Sequence, residues 1–109
     1  MALQEPTFLI LASLAQGRRH GYALIKDAAE LSGGRIALKV GTLYAALERL
    51  STEGLVAEAG EEVVEGRLRR FYVLTEEGAA TLAEEVERMR SLSSQAATRL
   101  SQRPGLAFA

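Results

Sequence analysis

Gly41-Thr42-Leu43-Tyr44-Ala45-Ala46-Leu47-Glu48-Arg49-Leu50 is the stretch on which the fold turns. At about 100° per residue, Leu43, Ala46, Leu47 and Leu50 fall on one side of a helix. Thr42, Ala45, Glu48, Arg49 and Thr52 fall on the other, with Tyr44 on the flank. Gly54 is a good C-terminal cap. Beyond it, Leu55 to Val64 and Arg67 to Leu74 read as two strands, and Glu65-Gly66 suits a tight turn between them. A looser tip around Gly60 is an alternative. The second strand is basic, with Arg67, Arg69 and Arg70 in a row of four residues.

Two helices precede this unit. Glu5-Pro6-Thr7 opens the first, because proline suits a first turn, and Gly17 ends it. Phe8, Leu9, Leu11, Ala12 and Leu14 give it an apolar face wide enough for more than one neighbour. The second runs from about Gly21 to Leu31, with Ala23, Leu24, Ala28 and Leu31 at helical spacing, and Ser32-Gly33-Gly34 stops it. Arg35 to Lys39 alternates weakly through Ile36 and Leu38, which is the pattern of a very short strand.

After the hairpin, Thr75 is placed to cap a last helix, and Glu76 and Glu77 suit its positive end. That helix extends to about Gln102, where Arg103-Pro104-Gly105 stops it. Its length is roughly 39 Å at about 1.5 Å per residue. Ala79, Leu82, Val86, Met89, Ser93, Ala96 and Leu100 recur in steps of three and four, which makes a seam. A helix this long overshoots a small core, and a second copy of the chain is the simplest partner for its far end. The expected organisation is a compact unit over 1–75, a dimerisation helix over 76–103 packed on the same core, and a flexible tail over 104–109.

Composition narrows the function. The 109 residues fit one domain, and 48% hydrophobic content supports a core. With no cysteine and one histidine, disulfides, thiolate metal sites and a histidine cluster are excluded. No cofactor is expected. The apolar run Phe8 to Leu14 is too short to span a bilayer and has no basic leader, so a cytoplasmic protein without membrane attachment is expected. Net charge is −1, but the charge is polarised. Arg18, Arg19, Lys26, Arg35, Lys39 and Arg49 face only Asp27, Glu30 and Glu48 within Gly17 to Arg49. Glu76, Glu77, Glu84, Glu85 and Glu87 reverse the balance later. Such asymmetry fits a chain of which one part meets phosphate.

Taken together, three helices and a basic hairpin describe an α+β winged helix-turn-helix with a long C-terminal helix. The chain resembles the PadR family of bacterial and archaeal transcriptional regulators, in its short single-domain form. The motifs are His20-Gly21-Tyr22, Gly41-Thr42-Leu43-Tyr44, Leu47-x-x-Leu50 with Glu53-Gly54-Leu55-Val56, and Arg69-Arg70-Phe71-Tyr72-x-Leu74-Thr75-x-x-Gly78. The resemblance covers nearly the whole chain, from about Phe8 to Leu100. The resemblance implies a homodimer that binds a roughly palindromic operator on double-stranded DNA, usually as a repressor. It also implies a third helix in the major groove, a wing on the backbone or minor groove, and a dimer interface built from the last helix with help from the first. Some members release DNA when a small aromatic or hydrophobic effector binds near that interface. Those that stack flat ligands on a tryptophan have no counterpart here, since the chain has no Trp. Ala45 stands where many members carry proline or arginine.

The residues then divide as follows. Lys39, Thr42, Tyr44, Ala45, Arg49, Arg67, Arg69 and Arg70 are the candidates for DNA contact. Helix N-termini, hydroxyls and guanidinium groups are good phosphate partners. Against this, Thr42 could simply cap the helix, Tyr44 could pack on the hairpin, and Lys39 and Arg49 could be solvated. Glu48 is a salt-bridge candidate for Arg49, or an acceptor for a cytosine amine. Arg67 and Arg69 share one strand face and Arg70 takes the other, while Glu61, Glu62 and Glu65 could neutralise them across the hairpin. Alternation likewise places one of Phe71 and Tyr72 in the core and the other near the surface. Leu9, Leu82, Val86, Met89, Ala96 and Leu100 are the candidates for dimerisation. His20 reads as a helix cap rather than a ligand or base, and no nucleophile or paired carboxylate points to an enzyme. The competing class is a winged helix used as a protein-interaction module without specific DNA binding, which the acidic balance favours.

Overall fold

A computed structural model of the chain describes residues 2–105. Leu106 to Ala109, most of the expected tail, lie outside the described residues. The elements run α1 (Glu5–Leu14), β1 (Arg19–His20), α2 (Gly21–Leu31), α3 (Val40–Thr52), β2 (Val56–Val64), β3 (Arg67–Leu74) and α4 (Glu76–Ser101). The strands form one antiparallel sheet in the order β1-β3-β2.

The helices α1, α2 and α4 each begin at a side-chain cap or a stiff residue, whereas Lys39 caps α3 without a side-chain hydrogen bond. Pro6 sits in the first turn of α1. His20 caps α2, its Nδ1 accepting the Ala23 N–H at 3.3 Å. Thr75 caps α4, its Oγ1 accepting the Gly78 N–H at 3.0 Å. Such side-chain acceptors satisfy amide groups that the helix leaves unpaired. The third helix starts earlier than its sequence pattern suggests. Lys39 is the cap position, so Thr42 is the third helical residue and not the cap.

The core lies where α1, α2, α3 and the sheet meet. Ile10, Leu11, Leu24, Leu43, Leu47 and Leu50 are almost completely buried. Both sides of α1 contribute, as its wide apolar face requires, because Leu9, Ile10, Leu11 and Leu14 are all buried.

Two local expectations are corrected. Arg35 to Lys39 forms no strand. Its backbone is instead drawn to the preceding turn, where the Ile36 N–H donates to Ser32 Oγ at 2.9 Å, and Leu38 enters the core with Ile36 packed against it. The short strand of the fold is Arg19–His20, which pairs with Tyr72 and Phe71. Gly60 marks no loose tip. It adopts φ 91° at a bulge between Glu58 and Glu61, and the strand continues past it to the turn at Glu65 (φ 51°) and Gly66 (φ 79°). Positive φ at both turn residues matches the twist of the flanking strands.

The alternation of Phe71 and Tyr72 holds, but not its consequence. The two rings point to opposite faces of β3, yet they are 9% and 4% exposed. Tyr72 enters the main core. Phe71 is covered on the outer face by the Arg18 guanidinium, 4.0 Å from its centroid, and by the His20 ring at 5.3 Å, edge on.

α4 begins inside the domain and leaves it. Gly78 lies so close to the Leu55 carbonyl and the Leu74 side chain that a Cβ there would overlap both. Leu82 packs on the core and Glu85 is buried. From Val86 onward every described residue is exposed. The overhang gives the molecule its principal extents of 61 × 27 × 21 Å.

Candidate nucleic-acid interface

The exposed side of α3 carries Thr42, Tyr44, Ala45, Glu48 and Thr52. Tyr44 stands between two grooves. One lies between α3 and the hairpin and is lined by Tyr44, Glu48, Thr52, Glu58, Arg70 and Tyr72. The other lies between the starts of α2 and α3 and the wing, and Tyr22, Val40, Tyr44, Arg67 and Arg69 line it. The strand alternation therefore distributes the arginines to both sides of one tyrosine. Lys39 is exposed at the start of the same helix.

Gly21 makes this arrangement fit. A Cβ at that position would stand 2.5 Å from the Tyr44 hydroxyl and 3.2 Å from Leu43 Cδ2. The absent side chain lets Tyr44 lie across the start of α2, with 41% of its surface still exposed.

The arginines differ in how they are held. Arg70 Nη1 donates to Glu58 Oε1 at 3.3 Å. The Tyr72 hydroxyl and the Glu58 carboxylate hold its pKa above the ordinary value. Burial raises the Tyr72 pKa in turn, so the phenol stays neutral. Arg69 lies 5.6 Å over the Tyr22 ring, and its buried Nε has no hydrogen-bond partner among the described residues. A guanidinium over a tyrosine face is favoured electrostatically. Arg67 is exposed. Among the described residues, neither Arg67 nor Arg69 forms an ion pair. The expected neutralisation by Glu61, Glu62 and Glu65 is thus replaced. Glu58 engages Arg70, and Glu62 is drawn to Arg18 instead.

Arg49 is turned another way. Its guanidinium donates to Thr7 Oγ1 at 3.0 Å and pairs with Glu53 at 3.4 Å, one turn along α3. Glu48 is therefore not its partner. Arg49 lines the groove shared by α1, α3 and α4, away from the grooves that flank Tyr44.

His20 sits behind the wing. Burial, then the neighbouring Arg69 charge, pushes its pKa below the ordinary 6.5. The neutral ring is the one its capping role requires, because Nδ1 must accept a hydrogen bond. No group of His, Cys, Asp and Glu among the described residues is arranged to hold a metal ion.

The seam residues divide at Glu85. Leu9 belongs to the core at 6% exposure and Leu82 packs against it. Val86, Met89, Ala96 and Leu100 are exposed, and Leu92 joins them at 53%. Glu85 itself accepts from Arg88 Nε and Nη2, both at 2.7 Å, and from the Leu3 N–H at 3.1 Å. The Arg88 hydrogen bonds first, then the Leu3 amide, hold its pKa down at about 2 against the burial that opposes them.

Sequence reasoning missed three participants. Tyr22 was legible only as part of a helix-opening motif, although its ring is 61% exposed with the Arg69 guanidinium over it. Arg18 left no periodic signal, and the burial of Glu85 depends on the N-terminal segment folding back.

A helix-turn-helix followed by a basic antiparallel hairpin defines a winged-helix protein. The chain belongs to the PadR-like family of transcriptional regulators, whose profile matches residues 10–84. It is 37% identical to the transcriptional regulator Rv3488 of Mycobacterium tuberculosis over 84 residues, 77% of this chain and 75% of that one. It is 39% identical over 93 residues to an uncharacterized 37.1 kDa protein of a Streptomyces fradiae transposon. That match covers 85% of this chain but only 25% of the transposon protein's length. A PadR family regulator from Clostridium difficile superposes with a TM-score of 0.73 at 26% identity, over 89% of this chain and 99% of the other. The Bacillus subtilis PadR, solved with operator DNA, shares the fold with a TM-score of 0.66 at 23% identity, over 76% and 48%. Among the described residues, no helix is long and apolar enough to cross a membrane.

Proposed function

We propose that this chain is a cytoplasmic repressor that binds a pseudo-palindromic operator as a homodimer. Residues 1–75 are the DNA-binding unit and 76–103 the dimerisation helix. The N-terminal part of α3 enters the major groove, with Thr42, Tyr44 and Ala45 facing the duplex. Lys39, Arg67, Arg69 and Arg70 meet the backbone. Arg49 contributes least, because Thr7 and Glu53 already hold it. The observation that carries the reading is the placement of Tyr44 between two grooves lined by the wing arginines. The operator complex of the Bacillus subtilis relative supports it.

The homodimer rests on α4, whose Val86, Met89, Leu92 and Leu100 stay exposed among the described residues. A small aromatic or hydrophobic effector that releases DNA would bind between the paired helices, with Met89 and its neighbours as walls. Melting shifts across a ligand panel test that step, and a uniformly silent panel counts against it.

Selection of bound duplexes from a random pool tests the main reading. The expected product has two half-sites about 10–10.5 base pairs apart, centre to centre. Log affinity should fall with log salt by about 0.9 per phosphate contact. Arg69→Ala should weaken every sequence about equally and reduce the slope by about one. No enriched sequence, together with a flat salt response, contradicts the proposal and favours a protein-interaction module.

A further inference from the structure

We propose that Arg18 is a positioning residue for the wing: it locks the bulge of β2 and withdraws Glu62 from the basic surface. The bulge lies where Glu58 pairs with Tyr72 and Glu61 with Arg70, so that Ala59 and Gly60 together oppose Phe71. A bulge interrupts the ladder and bends its strand. Here the bend sets the angle at which the outer half of the wing leaves the domain.

Arg18 comes from the turn before β1 and crosses the sheet to this one place. Its guanidinium stacks over Phe71 at 4.0 Å, the ring opposite the bulge. Its Nη1 donates to the Ala59 carbonyl at 3.1 Å, within the interrupted part of the ladder. Its Nη2 reaches the Glu62 carboxylate, one residue beyond the bulge. Three contacts from one planar group fix both position and rotation, which the point charge of a lysine could not do.

The ion pair alone would count for little. Its side chains are 38% and 52% exposed, and pairs of that kind are screened. The stacking and the carbonyl bond give the guanidinium a fixed seat, and the carboxylate follows it. Glu62 is the cross-strand neighbour of Arg69. Its capture by Arg18 leaves Arg69 over Tyr22, facing the groove beside Tyr44. The clamp matters for function only if the wing meets DNA as proposed above; its structural half stands apart from that reading.

Hydrogen exchange and duplex binding of Arg18→Ala in the full chain test the two halves separately. Amides of residues 58–62 should exchange faster. Affinity for the duplex selected from the random pool should fall about fivefold, the scale of one partly exposed cation–π contact. The salt slope should stay unchanged. Unchanged exchange overturns the clamp. A slope lowered by about 0.9 with unchanged exchange makes Arg18 a phosphate ligand instead. Faster exchange with unaltered affinity for a duplex the wild type binds overturns the positioning role. A wild type that binds no duplex breaks the DNA-binding reading while the exchange measurement still decides the clamp. Should Arg18→Ala fail to fold, Arg18→Gln removes the charge and the guanidinium stack while keeping much of the stem, and the same readings apply.

Discussion

The head of the molecule and its overhanging helix treat apolar side chains in opposite ways. Within residues 2–85, Leu24, Leu43, Leu47 and Leu50 are buried by other parts of the same chain. Beyond Glu85, Val86, Met89, Leu92 and Leu100 keep the same helical spacing and remain between 37% and 53% exposed. One chain thus completes one core and leaves a second apolar stripe exposed. Burying apolar surface is worth about 25 cal/mol per Å², so a stripe of this kind is a standing gain for any surface that matches it. The far half of α4 is about 24 Å long at about 1.5 Å per residue, and in the proposed dimer a second copy supplies the complementary stripe.

The largest expected effect separates the two regions. Leu47→Ala should destabilise the folded subunit by about 2–5 kcal/mol in urea or guanidinium unfolding, because the head is closed around it. Leu100→Ala should leave the unfolding of the head unchanged and raise the protein concentration at which dimers dissociate. Equal effects of the two on subunit stability would erase the distinction.

Next comes the junction. Gly78→Ala sets a Cβ against the Leu55 carbonyl, which is backbone and cannot swing aside. A loss of about 1–3 kcal/mol is expected, as for other overpacked sites, read as a lowered unfolding midpoint. A neutral result would mean that α4 can lift from the head without cost.

Acid should act on the two sides of that junction in different windows. The His20 pKa is depressed from 6.5, so the unfolded chain binds more protons. Stability is then full above the unfolded pKa and declines as pH falls below about 6.5. Glu85 sits at about 2 rather than 4.5, so its contribution is present above 4.5 and is lost as pH falls toward 2. Melting temperature against pH should show both steps. Glu85→Gln should remove the lower one, and a step that persists in that variant belongs to another group. Smallest of all, Glu5→Gln breaks the exposed pair with Arg35, and the unfolding midpoint should not move measurably.

Much of this arrangement was legible in the sequence because it is periodic. The α3 faces, the Thr75 cap and the length of α4 follow from spacing and capping residues alone. Arg67, Arg69 and Arg70 divide between strand faces as alternation requires. What escaped depends on contacts distant in sequence. β1 is two residues long, too short for any pattern, and exists because β3 offers it a free edge. Phe71 is buried by Arg18, some fifty positions earlier, and not by the core. Arg49 looks solvated on a helical projection but reaches Thr7 on α1. The partners of the wing glutamates follow the bulge, which changes which carboxylate meets which arginine.

In the proposed dimer two copies, joined through α4, place two Tyr44 surfaces on one duplex. Sedimentation of the protein with the selected duplex tests it most directly. Two subunits per duplex are expected, with a Leu100→Ala variant that reaches that complex only at higher protein concentration. A saturated complex holding a single subunit would contradict it.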